Sequence, residues 1–148
     1  MTDGPILLAT DLSDEAARAY KPTMQMATAL GASVVLAHVI DKPILPPPGS
    51  ILDARQVDPY VKERFEESER KLAELAESLA DGVDIETRVV AAEITELGLV
   101  SLAEEVNARL IAMASHGRSG LRRVVLGSFA EGVLRRARTP VLVFPPPA

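Results

Sequence analysis

Five short apolar runs alternate with four helix-like segments, and this order constrains the fold more than any other feature of the chain. The runs are Pro5 to Thr10, Ser33 to Ile40, Val83 to Val90, Arg109 to Met113 and Thr139 to Phe144. Their lengths and β-branched content fit strands. The segments between them carry helical periodicity. The resulting β-α-β-α-β-α-β-α-β order implies right-handed crossovers and a parallel sheet. The expected fold is a single-domain α/β protein, an open five-stranded parallel sheet in the order 3-2-1-4-5 with helices on both faces. Ligands of such sheets sit beyond the carboxyl ends of the strands, where the winding reverses. Asp11, after the first strand, and Ala114, after the fourth, would flank that point.

The helices have their own signals. Ser13 can cap the first, and Ala16, Ala19, Tyr20, Thr23, Met24, Ala27 and Leu30 fall near one face. Pro22 should kink that helix or delay its regular part, and Gly31 should stop it. Asp41 to Gln56, with Pro43, Pro46, Pro47, Pro48 and Gly49, is expected to be a surface loop, either a lid or a passive connector. Asp58 and Pro59 look like a cap and a first helical position. Val61, Phe65, Leu72, Leu75, Ala76 and Leu79 then form an apolar stripe. Val83 to Val90 alternates apolar and polar residues, as a sheet-edge strand does. Thr95 to Val106 offers Leu97, Val100, Leu102 and Ala103 for packing, and Ser128 begins the last helix.

With 148 residues and no cysteine, one core without disulfides or thiolate metal sites is expected. His38 and His116 are the two histidines, too few for a histidine-based metal site. The N-terminus lacks a basic segment before its apolar run, and no apolar run approaches membrane-spanning length. A cytoplasmic protein without a membrane or nucleic-acid partner is the expectation. The net charge of −5 disfavours nonspecific nucleic-acid binding, but its distribution is uneven. Residues 109–138 hold seven arginines and one acid, a local balance of +6 against −11 elsewhere. Arg135, Arg136 and Arg138 are read as complementing a helix C-terminus. Arg118, Arg122 and Arg123 lie instead in a glycine-bearing loop.

That loop, within Ala114 to Glu131, joins a strand to a helix start, an arrangement suited to an anion. Gly117 permits close backbone approach or supplies a positive φ. Ser128-Phe129-Ala130-Glu131 fits a capping box, with Ser128 as the cap. There is no G-x-x-x-x-G-K-[ST], no G-x-G-x-x-G after the first strand and no G-x-S-x-G. Neither histidine has a partner at a catalytic spacing. His38 reads as a packed histidine, whereas His116 has the better position for phosphate. Asp11 is equally a turn residue or a ligand contact.

The stretch Ala114-x2-Gly117-x9-Gly127-Ser128 resembles the universal stress protein signature G-x2-G-x9-G-[ST]. Ile6 to Ser13, Leu36 to Asp41 and Pro140 to Phe144 resemble the family's first, second and last strands. The resemblance implies an adenine-nucleotide alpha-hydrolase-like fold and binding of ATP, or AMP or another adenine nucleotide, with Mg²⁺ a possible companion. It implies that Ala9, Thr10, Asp11 and Val39 line the base and ribose pocket. Met113, Ala114, His116, Gly117, Arg118, Gly127, Ser128 and Phe129 would surround ribose and phosphates. It also implies a homodimer through Val141 to Phe144. Ala114 departs from the first signature glycine, and Ala91-Ala92-Glu93 lacks a glycine often found after the third strand.

Three functions fit these residues. The first is an ATP-binding regulatory stress protein with at most slow hydrolysis, because no base or water-positioning residue is evident. The second is a nucleotide-free interaction protein, with Ala114 in its favour. The third is a turnover enzyme acting on nucleotides.

Overall fold

The computed structural model describes residues 3–42, 54–115 and 126–147. The strands are β1 (Ile6–Ala9), β2 (Val34–Asp41), β3 (Ile85–Ala92), β4 (Leu110–Ala114) and β5 (Val141–Phe144). The helices are α1 (Tyr20–Leu30), α2 (Ala54–Leu79), α3 (Thr95–Glu105) and α4 (Ser128–Arg136). The sheet runs β3-β2-β1-β4-β5 with every pair parallel, as the element order predicts. β3 stands at one edge, in keeping with its alternating sequence.

The central strands are continuously apolar because both their faces are covered. Leu7, Ala9, Val35, Ala37, Ile111 and Met113 face α3 and α4, where they meet Leu99, Leu102, Ala103 and Val133. Ile6, Leu8, Val34, Leu36 and Ala112 face the other way, onto Ala16, Ala19, Tyr20, Met24, Ala27 and Leu72. Each fully buried Leu or Ile of this set contributes about 1.5–3 kcal/mol of burial free energy. The winding direction reverses between β1 and β4, so their carboxyl ends frame the crevice expected there.

Several helix boundaries differ from the sequence expectation. Pro22 does delay the first helix: Glu15–Ala19 is a 3₁₀ segment, and regular α-helix starts only at Tyr20. Ser13 is not the cap residue expected of it: the cap position of the 3₁₀ segment is Asp14 and that of α1 is Ala19, and the Ser13 hydroxyl accepts only the Ala16 N–H, at 3.3 Å. Leu30 is 47% exposed, because the helix ends there at Gly31 with φ +61°. α2 starts at Ala54, so Asp58 is not its cap and Pro59 lies inside it. Pro59 removes a single rung, the one its N–H would make to the Arg55 carbonyl, and that loss near a helix end is tolerable. Residues 43–53 of the expected loop lie outside the described residues. Ser68 is buried and completes the stripe of α2 between Phe65 and Leu72. Leu99 anchors α3, whereas Leu97 is 42% exposed.

The missing glycine after β3 has a counterpart across a contact. A Cβ at Gly98 would lie 2.7 Å from the Ala92 Cβ and 3.2 Å from Val39 Cγ1. Gly98 therefore lets the start of α3 close over the ends of β2 and β3.

Candidate nucleotide site

At the carboxyl end of β1 and midway along the neighbouring β2, the side chains on the α3 and α4 face become small. One layer deeper the paired residues are Leu7 and Val35, and at the rim they are Ala9 and Ala37. The missing volume opens a cavity of about 230 Å³. Ala9, Ala37, Val39, Met113 and Phe129 give it apolar walls. Thr10, Asp11, His38 and Thr95 bring polar atoms to its border, and Ala16 and Ala114 complete it. A small apolar slot with a few polar groups suits a flat aromatic group.

A second cleft, of about 340 Å³, adjoins the first and shares Asp11, Ala114 and Phe129 with it. Leu126, Gly127, Ser128 and Ala130 supply the rest. This cleft lies at the start of α4. By helix geometry the N–H groups of Ser128, Phe129 and Ala130 have no acceptor within the helix. Such a terminus attracts an anion with roughly 0.3–1 kcal/mol, and up to ~2 kcal/mol when partly buried.

Ser128 is not the cap of α4. The cap position belongs to Gly127, with φ +80° and ψ 154°, and no side chain caps this end. Gly127 already turns the chain into the helix, so Ser128 is its first helical residue, exposed at the border of the cleft. The Glu131 carboxylate reaches forward to Arg135 at 2.7 Å, away from the helix start. Arg136 donates to the Gly132 carbonyl at 3.2 Å. Arg135 and Arg136 thus serve the helix, as expected for its C-terminal arginines.

Asp11 is held in a tight turn after β1. Its Oδ1 accepts the Ser13 N–H at 3.0 Å and the Ser13 hydroxyl at 2.5 Å. Leu12 adopts φ +65°, a conformation that costs an L-residue roughly 1–2 kcal/mol. The Thr10 hydroxyl accepts the Leu12 N–H at 2.9 Å and pairs with the Tyr20 hydroxyl at 2.5 Å. His38 donates from Nδ1 to the Thr10 carbonyl at 2.9 Å. A carbonyl only accepts, so the His38 proton sits on Nδ1. His38 is thus the packed histidine that its strand suggests, although it also borders the cavity.

Burial raises the Tyr20 pKa above its ordinary 10.0; the Thr10 hydrogen bond lowers it less, and the Asp11 charge adds slightly to the rise. Above about pH 10 the folded protein keeps a proton on Tyr20 that the unfolded chain has lost. That contribution is therefore complete below pH 10 and fades as the pH rises through the folded pKa. The stability difference between the unmodified protein and Tyr20→Phe should hold constant below about pH 10 and shrink as the pH rises above it in urea titrations. A difference that stays constant or grows above that pH would contradict this.

Ala114 ends β4, paired with Phe144, and its side chain packs toward the α1 face. Strand geometry suits any L-residue, so the methyl group that replaces the signature glycine costs nothing in the backbone. Ala114→Gly should leave nucleotide affinity within about threefold and lower stability by about 1 kcal/mol, through a flexible strand position and a lost methyl. Calorimetry and urea melts read both quantities. A tenfold gain in affinity would mean that the methyl crowds the ligand.

Of the residues expected at the site, Ala9, Thr10, Asp11, Val39, Met113, Ala114, Gly127, Ser128 and Phe129 border the two clefts. His116, Gly117 and Arg118 lie outside the described residues. Ala16, Ala37, His38, Thr95, Leu126 and Ala130 also border the clefts and were not anticipated there. Thr95 could have been found from its place at a helix start following the third strand. Ala16 carries no such signal.

The family model for the universal stress protein family matches residues 4–145. A universal stress protein of Methanocaldococcus jannaschii, MJ0531, is 34% identical over 96% of this chain and 82% of its own length. The solved structure of the Methanocaldococcus jannaschii protein MJ0577 is 26% identical, with TM-score 0.73 over 99% of both chains. A universal stress protein solved in complex with cAMP is 27% identical, with TM-score 0.60 over 95% of both chains.

Proposed function

The chain belongs to the universal stress protein family, and we propose that it serves there as a cytoplasmic, ATP-binding regulatory protein whose hydrolysis is slow at most. The observation that carries this reading is the pair of adjoining clefts, one apolar and one at a helix start, with Asp11 between them. On this reading adenine enters the slot floored by Ala9 and Ala37 and bordered by Val39. The Asp11 carboxylate meets the ribose. The phosphates run toward Gly127, Ser128 and the first N–H groups of α4. His116, Gly117 and Arg118 are assigned to the phosphates by the signature they share with the family, and the arginines of that stretch favour a triphosphate. Similarity to the protein solved with cAMP supports an adenine nucleotide as the ligand class. Mg²⁺ would arrive on the phosphates, since no group of three His, Asp or Glu residues among the described residues could hold an ion.

The nucleotide-free alternative rests on Ala114, which borders both clefts, and the Ala114→Gly comparison above tests it. The test is direct. The purified protein is denatured, the released small molecules are analysed, and ATP is titrated by calorimetry. A bound adenine nucleotide and a saturating titration are expected. Absence of both at millimolar ATP would sink the proposal, and rapid steady-state turnover would replace it with an enzyme.

The same reading includes a homodimer through β5. Among the described residues this strand lies at the sheet edge, paired with β4 alone. Leu134, 42% exposed, is two residues from Gly132, where α4 meets Glu96 of α3. Two residues turn a helix by about 200°, so Leu134 lies on the flank away from α3. Light scattering should report a dimer, and Leu134→Glu should weaken it at least tenfold. An unmodified monomer at micromolar concentration would refute the dimer.

A further inference from the structure

We infer that Tyr20 is a positioning residue for Asp11, acting through Thr10 on the turn that offers the carboxylate to a ligand. The inference rests on the nucleotide-binding reading above and concerns how its ribose contact is held in place.

The turn from Thr10 to Ser13 has reason to need support. Leu12 has φ +65°, which a bulky L-residue adopts only when its surroundings hold it there. The bond that keeps its N–H satisfied runs to the Thr10 hydroxyl at 2.9 Å. A threonine hydroxyl rotates freely unless a second partner fixes it. Here that partner is the Tyr20 hydroxyl, 2.5 Å away and ten residues along the chain. The Tyr20 ring is anchored where the 3₁₀ segment joins α1, only 9% exposed among Ala16, Ala19 and Met24. The Thr10 main chain is fastened separately, its N–H to the Ala37 carbonyl at 2.9 Å and its carbonyl to His38 at 2.9 Å. Thr10 is therefore fixed at three atoms, and Asp11 extends from it.

Tyr20 borders neither cleft, so it touches no ligand there and can act only through Thr10. Burial holds the phenol in its neutral form, with its proton available to this bond. A competing explanation is that the phenol merely satisfies a buried hydroxyl, with no consequence for Asp11.

Tyr20→Phe separates the two, because it keeps the ring in the core and deletes the hydroxyl. ATP and 2′,3′-dideoxy-ATP are titrated by calorimetry into the unmodified protein, Tyr20→Phe, Asp11→Ala and the double variant. A positioning role predicts that Tyr20→Phe weakens ATP about fivefold to tenfold. It predicts a much smaller loss for the dideoxy analogue, whose sugar gives Asp11 no hydroxyl to meet. It also predicts little further loss when the change is added to Asp11→Ala. Thr10→Ser, which keeps the hydroxyl, should retain affinity, and Thr10→Val should behave like Tyr20→Phe. Equal weakening of both nucleotides, or unchanged ATP binding, overturns the positioning role while leaving nucleotide binding intact. An unmodified protein that binds neither nucleotide overturns both readings together.

Discussion

Replacing Ala9 by leucine should abolish adenine-nucleotide binding while leaving the protein as stable as before or slightly more so. Ala9 closes the last rung of β1 beside Ala37, and its side chain faces the α3 and α4 side of the sheet. It is 7% exposed, and the space above it is the apolar slot of about 230 Å³. Leucine would send three more carbons into that slot, toward Met113, Val39 and Phe129. Their burial is worth about 0.8 kcal/mol per carbon if they fit without strain. Cavity-filling changes typically add about 0.5–2 kcal/mol, whereas overpacking costs about 1–3 kcal/mol. The slot's size puts this change nearer the first case. For the ligand the outcome is one-sided, because the base and the leucine side chain cannot share the space. Affinity should fall by at least ~100-fold, about 2.7 kcal/mol. Calorimetry with ATP and a thermal melt provide the two readings. ATP binding that survives in a well-folded variant would show that the slot is not where the base goes.

The cavity illustrates how much of this site can be read from a chain alone. The small residues that create it are visible in Leu7-Leu8-Ala9 and Leu36-Ala37-His38, where large side chains give way to alanine at the end of β1 and midway along β2. What the strand pattern does not reveal is that Ala9 and Ala37 become direct neighbours, because register is a property of the folded sheet. The fold itself was legible because five strand runs and four helical runs in strict alternation leave few topologies open. Boundaries were less legible wherever two local signals competed. Asp58-Pro59 has the chemistry of a helix start, yet α2 begins one turn earlier, since a single lost rung near a helix end costs little beside the packing of the stripe through Leu72. Ser128-x-x-Glu131 has the spacing of a capping box, yet Gly127 supplies the turn and releases both side chains for other partners. The support beneath Asp11 could not be read at all. Tyr20 and His38 lie on different elements, and only the folded chain brings them both to Thr10.

The backbone at Gly127 leads to the second large expected effect, a loss of phosphate binding in Gly127→Ala that spares the nucleoside. At φ +80° and ψ 154° Gly127 occupies a region essentially closed to residues with a Cβ. An alanine there costs about 1–3 kcal/mol, or escapes by rotating the peptide that leads into α4. Escape would redirect the N–H groups of Ser128 and Phe129, the donors that face the second cleft. ATP, whose phosphates lie there on the proposed reading, should bind at least tenfold more weakly. Adenosine, confined to the slot at Ala9 and Ala37, should change by less than about threefold, or ~0.6 kcal/mol. Strain that stays in place should lower the melting temperature by several degrees, given roughly 2–4 °C per kcal/mol for a chain of this size. Ser128→Ala provides the contrast. A true capping serine would cost ~1 kcal/mol on removal. Ser128 caps nothing, so this variant should keep its stability within about 0.5 kcal/mol and lose only a hydroxyl contact to phosphate. Parallel titrations of ATP and adenosine into both variants decide the matter. Equal losses for the two ligands in Gly127→Ala would mean that the helix start supports the whole site rather than the phosphates, and the division of the ligand between two clefts would then be wrong.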